Sequence, residues 1–128
     1  MGARSYWYNV EHTILMQQYE GKCVAADFFK CIDEANQFAS EVEHDVDIIV
    51  DMREAMFVGT SFLTARGAAE TKYLKNQRLA VLVGASAFIR MLVSIGKKIA
   101  PKTTRNIHFV ETIDEALHLI NETNQARA

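Results

Sequence analysis

The sequence contains little cysteine and proline, and it lacks any long apolar run. Its 128 residues include two Cys and one Pro. Cys23 and Cys31 lie eight positions apart without a CxxC pair, which fits neither a disulfide framework nor a zinc site. No window approaches the roughly twenty apolar residues that cross a bilayer, and the first residues carry no apolar secretory signal. We therefore expect a cytoplasmic protein.

The chain also lacks an excess of one charge. It carries 14 Lys and Arg against 16 Asp and Glu, a formal net charge of −2, so nothing draws it generally toward nucleic acid. Hydrophobic residues make up 49% of the chain, enough for one sizeable core, and no linker, repeat or low-complexity segment divides it. We predict a single domain over residues 1–128, with a core between about 6 and 122 and frayed ends.

Hydrophobic periodicity predicts a regular succession of strands and helices. Strands are predicted at 6–10, 14–20, 46–52, 79–83 and 107–110, and helices at 24–42, 60–73, 86–99 and 112–120. A capping box from Thr112 to Glu115 is predicted to open the last helix. The order is therefore β-β-α-β-α-β-α-β-α. Strand–helix alternation with short connections predicts an α/β fold whose mixed, mostly parallel sheet has about five strands, with four helices and segment 46–52 at its centre.

A strand ending in Asp, then a loop and a polar helix start, occupy the stretch from Ile48 to Leu63. Together with the element order, this stretch resembles the STAS domain of anti-sigma-factor antagonists, especially the stand-alone SpoIIAA-like relatives of the STAS/SEC14-type fold. The segments 83–86 and 109–116 are similar to the family's fourth-strand turn and final helix start. The residues in register with the family motif are Asp51, Phe57, Val58, Ser61 and Leu63.

The resemblance implies a bacterial signalling protein that binds a protein partner. In the family, a Ser at the start of the second helix is phosphorylated by a partner kinase. The matching position here is Thr60, with Ser61 as a neighbouring acceptor; Gly59 replaces the family's Asp, and Phe62 replaces a small Gly. The expected partner surface comprises Met56, Phe57, Val58, Gly59 and Phe62.

A phosphate on Thr60 would be stabilised by the unpaired N–H groups and the dipole of the helix N-terminus, and it would change the surface by nearly two charges. A phosphorylation switch is therefore workable there. The ordinary alternative is that Thr60 only caps the helix and Ser61 is a polar residue of its first turn.

The predicted third helix is apolar nearly all round. Phe88, Met91, Leu92, Ile95 and Ile99 form the predicted inward stripe, while Ile89 and Val93 lie on a second flank. This surplus predicts either a homodimer or an apolar-ligand surface; deeper packing under a loop would also explain it. The residues assigned to that surface are Phe88, Ile89, Met91 and Val93.

These apolar residues leave a competing function open. A small carrier or sensor would hold an apolar, lipid-like ligand near Phe57, Phe62, Phe88 and Met91. A basic string favours a membrane surface as a further, weaker alternative. Its members are Arg90, Lys97, Lys98, Lys102 and Arg105.

Catalytic patterns are incomplete. Ser86 follows a strand as in a G-x-S-x-G elbow, but position 88 is Phe, and Asp114 and His118 stand on one helix, so Ser86 is predicted to be a helix cap. Asp51 has no second acidic group for a magnesium site and is expected to bond nearby backbone N–H groups. Because the four histidines occur singly, we expect no metal site. With the catalytic patterns incomplete, we also expect no cofactor and no enzymatic activity; a hydrolase built on Ser86 is a third, weaker alternative.

Overall fold

A computed structural model describes residues 2–58, 76–99 and 106–127, which form five strands and three helices. The strands are β1 (Gly2–Trp7), β2 (Ile14–Cys23), β3 (Val46–Phe57), β4 (Gln77–Val83) and β5 (Ile107–Val110). The helices are α1 (Ala25–Ser40), α2 (Ala87–Ile99) and α3 (Ile113–Arg127). The helix predicted at 60–73 lies outside the described residues.

The five strands form one sheet in the order β1-β2-β3-β4-β5. β1 runs antiparallel to β2, whereas β2 to β5 are mutually parallel. β3 is central and is buried on both faces over Val46–Met52, as its β-branched, mostly apolar composition requires. The predicted mixed, mostly parallel sheet is confirmed, with its predicted central strand.

The helices divide the core between the two faces of the sheet. α1 and α2 cover the face that carries Leu15, Ile48, Val50 and Leu82. Each of these helices links parallel strands in the same direction along the sheet, so right-handed crossovers place both on one side. α3 returns across the opposite face, where Ala116 and Ile120 pack against Met16, Ile49, Val81 and Val83.

Several element boundaries differ from the sequence-based prediction. β2 continues to Cys23, past its predicted end at residue 20. The first strand is Gly2–Trp7 and not 6–10, because a turn begins at Tyr8. The Asn9 side-chain oxygen closes this turn by accepting from the N–H groups of Thr13 (3.0 Å) and Ile14 (3.1 Å). β3 continues to Phe57, five residues past its predicted end at Met52. The predicted fraying after residue 120 is also wrong, since α3 remains helical to Arg127.

Two predicted helix caps are present. The N–H of Ile89 donates to the Ser86 hydroxyl (3.3 Å), and the N–H of Glu115 donates to the Thr112 hydroxyl (3.1 Å). The Glu115 carboxylate reaches back to accept from the N–H of Glu111 (3.2 Å), close to a capping-box arrangement. These caps fix where α2 and α3 leave the strands that precede them.

Candidate protein-interaction site

The candidate site lies where β2 and β3 extend past β4. Pairing between β3 and β4 ends at Asp51 and Val83, but β2 and β3 stay paired as far as Cys23 and Phe57. A bulge between these limits places Met52 and Arg53 opposite one residue of β2. In open α/β sheets, ligands bind beyond the carboxyl ends of the strands, which is the end that this two-strand extension occupies.

Apolar side chains are exposed at the end of this extension. Met56 is 60% exposed and Val24, immediately after β2, is 46% exposed. Val58 is half-buried, and its N–H donates to the carbonyl of Cys23 (2.9 Å), which holds it beside the start of α1. We call Val24, Met56 and Val58 the apical patch. It includes two residues of the predicted partner surface and adds Val24, which the sequence pattern did not single out.

Phe57, also predicted for the partner surface, points toward the core. It is half-buried and packs against the Tyr19 ring, with 5.2 Å between the ring centroids. Alternation along a strand explains the difference, because neighbouring side chains face opposite sides of the sheet. Phe57 therefore packs against the core next to the apical patch and is not part of it.

The base of the patch is anchored by the first turn of α1. The N–H of Val24 donates to the Asp27 carboxylate (2.8 Å), and Asp27 places negative charge at the positive end of the helix dipole. Val24 thus remains exposed while its backbone is held in place.

Two cysteines belong to the core cluster against which Phe57 packs, but neither is poised for chemistry. Cys23 and Cys31 are free thiols with no exposed surface. Burial raises the pKa of both thiols, so the reactive thiolate is disfavoured at neutral pH. Their contribution here is to packing.

Asp51 is the main charged group near the carboxyl end of β3. It is 5% exposed and accepts from Nε and Nη2 of Arg53, both at 3.0 Å, and from the Arg53 N–H at 3.2 Å. The hydrogen bonds from the Arg53 side chain lower the pKa of Asp51, against the opposing effect of burial. The expected bond to a nearby backbone N–H is confirmed, whereas the guanidinium partner was not predicted.

The candidate phospho-acceptors Thr60 and Ser61 lie outside the described residues, as do Gly59 and Phe62 of the predicted partner surface. Their roles stay predictions. The described chain reaches Val58, the last residue of the apical patch.

The apolar surface predicted on α2 needs correction. Ile89 and Val93 are 6% and 4% exposed and pack into the core with Leu92, so they cannot serve as a dimer or ligand surface. Met91, which was predicted both for the inward stripe and for this surface, is 47% exposed, so it does not face inward. Phe88 is half-buried against the core. The helix is rotated from its predicted phase so that positions 89, 92, 93 and 96 face the sheet.

One residue of the predicted basic string, Arg90, makes contacts within the protein. The Arg90 guanidinium lies over the Phe109 ring at 4.5 Å and pairs with Glu111 at 3.3 Å. Lys97 and Lys98 are exposed, and the other two positions lie outside the described residues. None of the helices over 2–58, 76–99 and 106–127 has the length and hydropathy to cross a membrane.

A shallow groove between β5 and α3 brings together His108, Asp114, His118 and Glu122. His118 pairs with Glu122, one turn further along α3. In the part of the chain that the structure describes, no three acidic, His or Cys groups are arranged to hold a metal ion.

Comparison with known proteins defines the fold class. No protein-family model matches the chain, and no curated protein matches it significantly. The fold is SpoIIAA-like, as a solved structure shows: an uncharacterised protein of the DUF3478 family from Shewanella loihica PV-4, described as having a SpoIIAA-like fold. That chain is similar over 92% of this protein and 93% of its own length, with a TM-score of 0.65 and 12% identity. At this identity the likeness shows the fold alone, and it confirms the predicted STAS/SpoIIAA-like architecture.

Proposed function

We propose that this chain is a non-enzymatic regulatory domain that binds a protein partner through the apical patch. The observation that carries the proposal is the 60% exposure of Met56 on a strand extended at the carboxyl end of the sheet. Methionine suits this role, since its flexible, polarizable side chain adapts to different partner surfaces. Val24 and Val58 widen the apolar contact around it.

Phosphorylation of Thr60 would regulate this contact. Thr60 follows Val58 by two residues, so the chain keeps their Cα atoms within about 7 Å of each other. A phosphate near an apolar contact opposes binding, because the charge must lose its water when the partner docks. The resemblance to anti-sigma-factor antagonists supports this position, and we expect the phosphorylated form to bind its partner more weakly.

Site-specific photo-crosslinking tests the location of the partner surface. A photoreactive benzoylphenylalanine in place of Met56 is expected to give one reproducible protein adduct in cells. The matched control carries the same group in place of Met91, which is 47% exposed on α2. An adduct of equal yield and identity at both positions would contradict the proposal.

Binding measurements with the purified partner then test the regulation. Met56→Lys and Thr60→Glu are each expected to weaken binding at least tenfold, whereas Ser94→Glu on the exposed side of α2 leaves it unchanged. Unchanged affinity for Met56→Lys would exclude the apical patch. Unchanged affinity for both Thr60→Glu and the enzymatically phosphorylated protein would exclude the switch and leave the patch in place.

A further inference from the structure

Two charged side chains of α1 occupy the outer edge of β1, the first strand of the sheet. The Glu34 carboxylate accepts a hydrogen bond from the N–H of Ser5 at 3.0 Å. One helical turn earlier, the Lys30 ammonium donates to the carbonyl of Ala3 at 3.3 Å. Both contacts are made to backbone groups rather than to side chains.

The backbone groups involved point away from β2. The N–H of Tyr8 donates to the carbonyl of Ile14 on β2, so the N–H and C=O groups of alternate residues preceding Tyr8 point toward β2. The groups of Ala3 and Ser5 therefore point outward, where a further strand would pair. Lys30 and Glu34 fill one acceptor and one donor of that row.

We propose that Lys30 and Glu34 form a clamp that keeps β1 from pairing with β1 of a second copy of this chain. An edge strand with free outward groups is a template for another strand, and proteins commonly protect such edges with charged side chains. β1 is six residues long and contains no proline, so its sequence does not prevent pairing. The second copy is the fitting occupant because antiparallel pairing of two identical strands closes a two-fold interface.

The fold does not depend on the two clamp contacts alone. Each contact is a hydrogen bond to an ionised group, which is stronger than one between neutral groups. A separate hydrogen bond also joins α1 to β1: the Ser5 hydroxyl donates to the carbonyl of Cys31 at 2.9 Å. Removing the two charged groups should therefore open the edge while α1 stays in place.

The test compares the wild-type chain with Lys30→Ala/Glu34→Ala. Lys97→Ala/Glu41→Ala is the matched control, since it also removes one positive and one negative side chain from exposed positions. Sedimentation velocity measures self-association, and electron–electron distance measurements with a spin label in place of Arg4 report contact between β1 strands. Two paired strands of six residues, each about 20 Å long, hold such labels within roughly that distance.

The clamp variant is expected to self-associate at least tenfold more tightly than wild type and to show the short distance between labels, which wild type and control lack. Adding Ala3→Pro to the clamp variant should abolish the short distance, because proline blocks the outward N–H side of this edge. A short distance in wild type would overturn the proposal. The proposal would also be overturned if the clamp variant kept a native circular dichroism spectrum but lacked the short distance between labels. The same holds if the clamp variant self-associated without showing that short distance.

Discussion

The Asp47 carboxylate is completely buried between β3 and β4, where it forms a two-point ion pair with the Arg78 guanidinium. Nε of Arg78 lies 2.9 Å from Oδ1 of Asp47, and Nη2 lies 2.5 Å from Oδ2. The N–H of Leu79 also donates to Oδ1 at 3.1 Å. The pair stands where the register of β3 and β4 shifts, between Val46 and Ile48. The Asp47 carboxylate therefore accepts from a backbone N–H and pairs with the Arg78 charge at an irregular point of the sheet.

Breaking this pair should be costly. Arg78→Met leaves the Asp47 carboxylate buried without its counter-charge, and we expect the free energy of unfolding to fall by about 3–5 kcal/mol. Replacing both residues, in Asp47→Leu/Arg78→Met, should destabilise less than the single change, because no uncompensated charge remains. Urea unfolding followed by circular dichroism measures both values. A double variant less stable than the single would contradict this account.

The Asp51–Arg53 pair predicts a measurable acid dependence. Its hydrogen bonds lower the pKa of Asp51 in the folded state below the unfolded value of about 3.9. The contribution to stability is therefore present above that unfolded value and is lost as pH falls through the lower folded pKa. Because the Arg53 side chain is 46% exposed, the effect should stay below about 1 kcal/mol.

Arg53→Met isolates this effect from the titration of other carboxylates. Relative to the variant, wild type should be more stable in urea at pH 7, with the difference shrinking toward pH 3. A difference between the two proteins that is constant from pH 7 to pH 3 would show that Arg53 contributes through packing alone.

Local signals carried much of the fold prediction. A continuous apolar run marked β4 and mostly apolar runs marked β3 and β5, and the caps Ser86 and Thr112 marked the starts of α2 and α3, because each of these features involves residues close in sequence. The first strand was misplaced because its residues are largely polar and give no local apolar signal. Its backbone is contacted by Lys30 and Glu34 of α1, and a local sequence pattern does not reveal such a contact.

The features of the fold and of the site that the sequence did not predict depend on contacts between distant segments. α2 is apolar on several sides, so its periodicity did not define which side faces the sheet, and Ile89 and Val93 were assigned outward. The pairing of Asp47 with Arg78 joins two strands 31 residues apart. Exposure of Val24 follows from where β2 ends beside β3, which the order of elements does not specify.

Tyr19 offers a test of the core beneath the apical patch. It is 1% exposed, and its hydroxyl lacks a well-aligned hydrogen-bond partner in the described ranges, with the Cys31 thiol nearby. Removing an unsatisfied buried hydroxyl relieves a desolvation penalty, so Tyr19→Phe should raise the free energy of unfolding by about 1 kcal/mol. Thermal unfolding compared with Tyr6→Phe, a half-buried tyrosine of β1, provides the measurement and its control. A loss of stability on Tyr19→Phe would mean that the hydroxyl is satisfied in solution.

Gly84 follows the last residue of β4 in a conformation that suits glycine, with φ at +70°, and it lies close to Arg53. A Cβ atom at this position would lie 2.6 Å from Cγ and 3.3 Å from Cα of Arg53. Gly84→Ala therefore combines backbone strain with a steric clash, and we expect it to destabilise the protein by about 1–3 kcal/mol. In the Arg53→Ala background Cγ is absent while the φ angle remains, so the same substitution should destabilise less. A double-mutant cycle measured by urea unfolding separates the two contributions. Equal effects of Gly84→Ala in both backgrounds would assign the whole loss to the backbone and remove the close approach to Arg53 as the reason for glycine here.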